Sequence, residues 1–199
     1  MSTIRILQLV TLSVLGMSIA WKTQAQKTQP VGRQISVETR ITNYFSNGYE
    51  VTVLYNTRSK LSFGLQAAGV LLKNRNTKGI VFSSSDVDGI NIRLPWLFAL
   101  KSRYHLRSDH AGFYGEISIG AEQFRITSGS EVHKNHNGFA LPSVGYIWHP
   151  WRQRGLYVNP NIGYDFIFGQ PAAKTINGID YELRSAFIVP AFSIGWKFK

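Results

Sequence analysis

Beyond residue 33, apolar and polar side chains alternate with a period of two along nearly the whole chain. That period belongs to a β-strand with different surroundings on its two faces. Leu156, Val158, Pro160, Ile162, Tyr164, Phe166 and Phe168 share one face, and Tyr157, Asn159, Asn161, Gly163 and Asp165 the other. The end of the chain repeats this, with Phe192, Ile194, Trp196 and Phe198 set against Ser193, Gly195 and Lys197. Ile90, Ile92, Leu94, Trp96, Phe98 and Leu100 oppose Asn91, Arg93 and Lys101, while Phe113, Ile117, Ile119 and Ala121 oppose Glu116, Ser118, Gly120 and Glu122. Tyr49 to Asn56 and Leu61 to Ala68 alternate in the same way, and 34–44 and 138–149 less cleanly. Eight strands are predicted, over 34–44, 49–57, 60–72, 89–102, 112–126, 138–149, 155–168 and 186–198.

Several of these reach the ~9 to 11 residues that a tilted strand needs to cross a bilayer. One face is greasy. The other carries Gly, Ser, Asn, Gln and Ala with a few charges, where a soluble barrel would show a Lys- and Glu-rich exterior. The predicted fold is all-β, an eight-stranded antiparallel up-and-down transmembrane β-barrel over 34–199. With the first strand starting in the periplasm, the connections at 58–59, 103–111 and 150–154 are the short ones. Those at 73–88, 127–137 and 169–185 are longer and face outward; only 45–48, with its Asn47-Gly48 turn pair, breaks the rule.

The first 25 residues read as an export leader: Arg5, a mostly apolar stretch from Ile6 to Ala20, then Thr23-Gln24-Ala25, with cleavage after Ala25 and a short segment at 26–33 before the barrel. No later stretch has the ~20 consecutive apolar residues of a membrane helix. The chain has no cysteine, which excludes disulfides, a Cys-type zinc site and a thiol nucleophile. Its net charge is +11; removing Arg5 and Lys22 with the leader leaves 20 basic against 11 acidic side chains, a net +9.

With this pattern in place, the sequence resembles the small Gram-negative outer-membrane β-barrels, similar in size and layout to the OmpX and OmpA-barrel group. The last strand, with Phe192, Ile194, Gly195, Trp196 and Phe198, resembles the C-terminal signal read by the barrel-assembly machinery, displaced by one position by Lys199. The resemblance implies outer-membrane localisation and a monomer surrounded by membrane lipid and lipopolysaccharide.

An eight-stranded barrel has an interior just filled by side chains. Glu38, Arg40, Glu50, Arg93, Lys101, Glu116, Glu122, Asp165 and Lys197 are predicted to point inward and to pair into a charge network, because an unpaired buried charge is costly. Pro95, Pro142, Pro160 and Pro190 fall within strands, where each removes a ladder donor, so distorted pairing is expected there. His133 and His136 form a His-x-x-His in an outer loop, and Asp86 and Asp88 an Asp-Val-Asp-Gly; neither supplies the three or four ligands a metal needs.

No cofactor, metal or catalytic residue is expected. The alternatives are a lipid A-modifying barrel enzyme, which would need a Ser beside a His and an acid, and an exported lipocalin-like ligand-binding barrel. Basic residues gather at the turns: Arg58, Lys60, Arg103, Arg107, Arg152 and Arg154 on the inner side, and Lys73, Arg75, Lys78, Lys134, Lys174 and Arg184 outside. Split between two rims, they suit lipid phosphates and not nucleic acid, which asks for one contiguous basic face. Tyr104, Phe113, Trp148, Trp151 and Trp196 near strand ends fit an interfacial girdle. The expected role is structural, or one of interaction through the outer loops.

Overall fold

The computed structural model describes residues 33–72, 75–84, 86, 88–151, 155–169 and 174–198. The leader, its cleavage point after Ala25, the segment up to 32, Lys73, Arg152, Arg154 and Lys199 lie outside the described residues, as does the side chain of Arg75. The strands are β1 (Gln34–Arg40), β2 (Tyr49–Asn56), β3 (Leu61–Leu72), β4 (Phe82–Ser84), β5 (Asn91–His105), β6 (Gly112–Ser128), β7 (Glu131–Ile147), β8 (Leu156–Phe168), β9 (Lys174–Ile176), β10 (Ile179–Leu183) and β11 (Ala186–Phe198). Two helical turns, α1 (Ile41–Tyr44) and α2 (Arg75–Val81), interrupt them.

Eight strands close in the order β1-β11-β8-β7-β6-β5-β3-β2, every neighbour antiparallel, and β1 zips onto β11 from Ile35 opposite Phe198 to Arg40 opposite Ser193. Closure removes both sheet edges. The barrel's inner end is the one that carries Gln34 and Phe198. Alternation separates the two faces as the sequence predicts in β2, β8 and β11. In β2, Glu50, Thr52, Leu54 and Asn56 are buried and Tyr49, Val51, Val53 and Tyr55 exposed. Leu65 is 64% exposed and Leu100 67%, on a surface that water would solvate poorly and lipid well. This is the opposite of a lipocalin-like barrel, whose greasy face turns inward.

The structure departs from the predicted elements where the ladder breaks or runs on. β1 stops at Arg40, and 41–44 turns helical before Asn47 adopts φ 50°. β5 runs on to His105. β6 and β7 extend to Ser128 and Glu131, so the outer loop predicted at 127–137 is a two-residue turn with Gly129 at φ 54°. The rule of short inner and long outer connections therefore holds only for the two large outer segments.

Pairing shifts between Arg93 and Trp96 in β5 and between Ala68 and Val70 in β3, at matching heights. Pro95 lies in the first shift, since it cannot donate to the ladder. The extra residue reverses the phase of the strand. Ile90, Ile92 and Leu94 consequently point inward and are buried, while Asn91 and Arg93 point outward. Pro160 and Pro190, by contrast, pair within an unbroken β8–β11 ladder, opposite Phe192 and Ile162.

A second sheet, in the order β4-β10-β9, is built from the outer connections. Its β9–β10 hairpin turns on Asn177 and Gly178, at φ 48° and 74°, the left-handed pair that a tight two-residue hairpin requires. Phe82, Ile176, Tyr181 and Leu183 of this sheet pack with Leu72, Val81, Ile90, Ile92, Leu94, Phe124, Ile126 and Ile167 into one buried apolar cluster. Phe82 meets Phe124 edge to face at 5.3 Å. The barrel's principal hydrophobic core thus lies in its outer mouth.

Candidate functional site: a lumen closed at both ends

The inner half of the lumen is organised around Arg103. It projects from β5, is 1% exposed, and reaches across to β1 and β6. Nη1 and Nη2 donate to Glu38 Oε1 and Oε2 at 2.7 and 3.0 Å, and Nε donates to Glu116 Oε2 at 2.7 Å. Lys101 Nζ pairs with the other oxygen of Glu116 at 2.9 Å. Two cations thus meet two carboxylates, so the set carries no net charge, the arrangement that makes buried ionisable groups tolerable. Tyr157 donates to Glu38 at 2.9 Å, Tyr114 donates to Asn159 at 2.8 Å, and the Arg103 guanidinium lies 4.3 Å from the Tyr114 ring centre. Each tyrosine lies over the glycine directly opposite it on the neighbouring strand: a Cβ on Gly145 would meet Tyr114 at 2.3 Å, and one on Gly195 would meet Tyr157 at 2.2 Å.

The predicted network is therefore divided. Glu38, Lys101 and Glu116 come together, but through Arg103, which the alternation pattern places at a turn by ending the strand at residue 102. Arg40 and Glu50 form a separate ion pair at 3.0 Å near the outer end of β1, where Asn43 also donates to Glu50 at 3.2 Å. Lys197 sits at the inner mouth and donates to the Asp109 carbonyl at 3.4 Å. Glu122 and Asp165 are buried in the middle of the lumen with Glu122 Oε1 and Asp165 Oδ1 unpartnered, beside the unpartnered amide of Asn137 in the β6–β7 ladder. Arg93 is outside the barrel altogether, turned by the bulge. Of the terminal-strand residues, Phe192, Trp196 and Phe198 point outward, Ile194 is half-buried, and Gly195 faces the lumen.

The other motifs resolve locally. His133 and His136 lie on β7 and not in a loop, and their odd spacing sends them to opposite faces. His133 Nδ1 meets Tyr181 Oη at 2.7 Å inside, and His136 Nε2 meets Gln123 Nε2 at 2.9 Å outside. Asp86 Oδ1 accepts from the N–H groups of Asp88 and Gly89, each at 3.1 Å, and so closes its own loop. Among the described residues no group of three or more His, Asp or Glu is placed to hold a metal. Lys78 is buried and donates to the Ile90 carbonyl at 2.5 Å, so it is not a rim charge. Ser62 Oγ and His105 Nε2 are 3.0 Å apart, but both are sealed inside the inner end and His105 Nδ1 has no acceptor to orient it.

At the inner turns, Arg107 grips Asp109 through two hydrogen bonds of 3.1 and 2.6 Å. Burial works against the Asp109 carboxylate, but the Arg107 contacts and the Ala111 N–H outweigh it and hold its pKa below the usual range. Burial pushes His110 down, although its Nε2 meets the Ser59 carbonyl at 2.7 Å. His149 is lowered to about 4, also by burial first and then by the charge of Lys197.

No family model matches the chain, and no curated protein matches its sequence. Solved structures do. A major outer membrane protein from Thermus thermophilus superimposes with TM-score 0.53 at 8% identity, over 84% of this chain and 100% of that one. The fold is that of the small outer-membrane β-barrels. The N-terminal β-barrel domain of Pseudomonas aeruginosa OprF (TM-score 0.48, 12% identity, 84% of this chain and 98% of that one) and Neisserial surface protein A (0.42, 9%, 83% and 96%) are also similar. Tyr104, Phe113, Trp148, Trp151 and Trp196 are all exposed and lie at or near the inner ends of their strands. The lumen is closed twice, by the Arg103 set in its inner half and by the apolar cluster in its outer mouth.

Proposed function

We propose that this chain is a sealed, monomeric barrel of the outer membrane whose work is done on its outer cap and rims and not through its lumen. It is a structural or interaction protein, exported by a leader cleaved after Ala25. The strand bearing Phe192, Ile194, Gly195, Trp196 and Phe198 is what the assembly machinery reads, and outer-membrane lipid and lipopolysaccharide are its surroundings. The single observation that carries this reading is the double closure of the lumen. Arg103 with its two carboxylates fills the inner half, and the cluster centred on Phe82, Ile92, Phe124 and Ile126 fills the outer mouth. A solute would have to break a compensated charge set and then an apolar core. The outer sheet also gives the cap a fixed shape to present to a partner.

Single-channel recording of the refolded chain in planar bilayers tests it. Conductance should stay at the bare-membrane level in the unaltered chain and in Phe82→Ala, which leaves the Arg103 set in place, and intermittent openings should need both closures altered, as in Phe82→Ala with Arg103→Ala. Stable openings of the unaltered chain would overturn the reading. A changed lipid A acyl pattern on expressing the gene would favour a lipid-modifying enzyme instead.

A further inference from the structure

Three cations stand side by side on the outside of the barrel. Arg93 is directly opposite Arg125 in the β5–β6 ladder, and Arg125 is directly opposite Lys134 in the β6–β7 ladder. All three are exposed. Like charges at facing positions repel, and among the described residues no carboxylate pairs with any of the three. An anion relieves that repulsion, and every cation added to the row strengthens its hold while weakening the empty barrel. The row exists because the Pro95 bulge turns Arg93 outward, so it is invisible to an unbroken alternation.

Its height and width narrow the choice of anion. Trp96 pairs with Gln123, two residues before Arg125, so the row stands about 7 Å further along the strand toward the outer end. Trp96 stacks on the exposed Phe98 with ring centres 5.8 Å apart. Trp at the edge of a greasy band marks the headgroup boundary, which puts the row at the depth of lipid phosphates. Three neighbouring strands at ~4.8 Å spacing make it about 10 Å wide, more than one phosphate covers. An open cleft of about 240 Å³ adjoins it, lined by Arg93 and Arg125 with Leu71, Asn91, Ile92 and Thr127. At ~30 Å³ per water that is room for about eight waters, enough for a phosphate group. Two planar guanidinium forks suit phosphate oxygens.

We propose that Arg93, Arg125 and Lys134 bind the phosphates of a multiply phosphorylated glycolipid of the outer leaflet, the chemistry of lipid A. The inference rests on the outer-membrane reading above and adds the site to it. The test is equilibrium binding of lipid A to the full chain folded in non-ionic detergent, alongside the triple variant Arg93→Gln, Arg125→Gln, Lys134→Gln. At ~1 kcal/mol per basic residue near an anionic surface, the variant should bind about 100-fold more weakly. An inner-end control losing the same three charges, Arg33→Gln, Arg58→Gln, Lys60→Gln, should bind within about threefold of the unaltered chain. Lipid A with one phosphate removed should bind more weakly and depend less on the row. Equal binding by the row variant overturns the proposal, as does an equal loss in the control. So does phosphatidylglycerol binding as tightly and as row-dependently as lipid A, or displacement of lipid A by millimolar inorganic phosphate. Heat-modifiable gel migration verifies that each variant is folded. Membrane fractionation of the unaltered chain tests the outer-membrane reading separately, so a failure of the row is distinguishable from a failure of that reading.

Discussion

Replacing Arg103 with methionine removes one positive charge from a closed set in which Lys101 and Arg103 balance Glu38 and Glu116. Three hydrogen bonds of 2.7, 3.0 and 2.7 Å to carboxylates are lost together. Charge-assisted bonds contribute ~1.5 to 3 kcal/mol each, but water entry and relaxation recover part of that. Breaking a buried pair from one side costs about 3 to 5 kcal/mol, and this is the expected fall in unfolding free energy. The double variant Arg103→Met with Glu38→Gln leaves one cation facing one carboxylate, the Lys101–Glu116 pair at 2.9 Å, and the amide introduced by Glu38→Gln still offers Tyr157 an acceptor. It should recover at least half of the loss, a coupling energy of about 2 kcal/mol. Urea unfolding in lipid micelles, followed by tryptophan fluorescence, measures all four corners of the cycle. Additive single changes, or an Arg103→Met variant within about 1 kcal/mol of the unaltered chain, would refute the idea that Arg103 holds the lumen together.

Gly195→Val puts a side chain where the Tyr157 ring lies, since even a Cβ would be 2.2 Å from it. The expected loss is about 1 to 3 kcal/mol, and Tyr157→Phe should not restore it, because the nearest atom is the ring carbon Cζ that phenylalanine keeps; recovery of thermal stability in the pair would contradict this. Glu122→Gln with Asp165→Asn removes two buried acids that lack a cation partner, so the unfolding free energy should hold or rise, by up to about 2 kcal/mol; a loss above about 1 kcal/mol would mean that the acids hold something the barrel needs. His149, lowered from 6.5 to about 4, stays neutral in the folded barrel while the unfolded chain takes up a proton. Stability should therefore be full above pH 6.5 and fall progressively down to about pH 4, a slope that His149→Gln flattens; an unchanged slope would contradict the assignment.

Much of the architecture is legible in the sequence because a closed barrel in lipid obeys one rule, greasy out and small or polar in, and β2, β8 and β11 follow it apart from inward apolar residues such as Leu54 and Ile167. What escapes the sequence escapes at breaks in that rule. Pro95 signals a distortion, but the strand's phase beyond it depends on whether a residue is bulged out, which is a property of two ladders at once; unbroken alternation puts Arg93, Ile92 and Leu94 on the wrong side for that reason. Arg103 is within reach, because Ala99, Lys101, Arg103 and His105 continue the inward series past residue 102. The β9–β10 hairpin also has its signal, Asn177-Gly178 between Lys174-Thr175-Ile176 and Ile179-Asp180-Tyr181. The cap it forms does not, since the packing of Phe82 on Phe124 and Tyr181 joins residues far apart in the chain.

The most direct test uses the absence of native cysteine. A nitroxide placed at one engineered cysteine at a time, along Asn91 to Lys101 of β5 and Leu156 to Phe168 of β8 in lipid bilayers, reads lipid, water or protein surroundings at every position. On β8 the even-numbered positions should contact lipid and the odd-numbered ones should be protected. On β5 the labels at 98 and 100 should meet lipid and those at 92, 94, 99 and 101 should be protected, with 91 and 93 reporting the aqueous headgroup zone. Unbroken alternation through Pro95, or lipid contact at 92 and 94, would contradict the capped lumen on which the account depends.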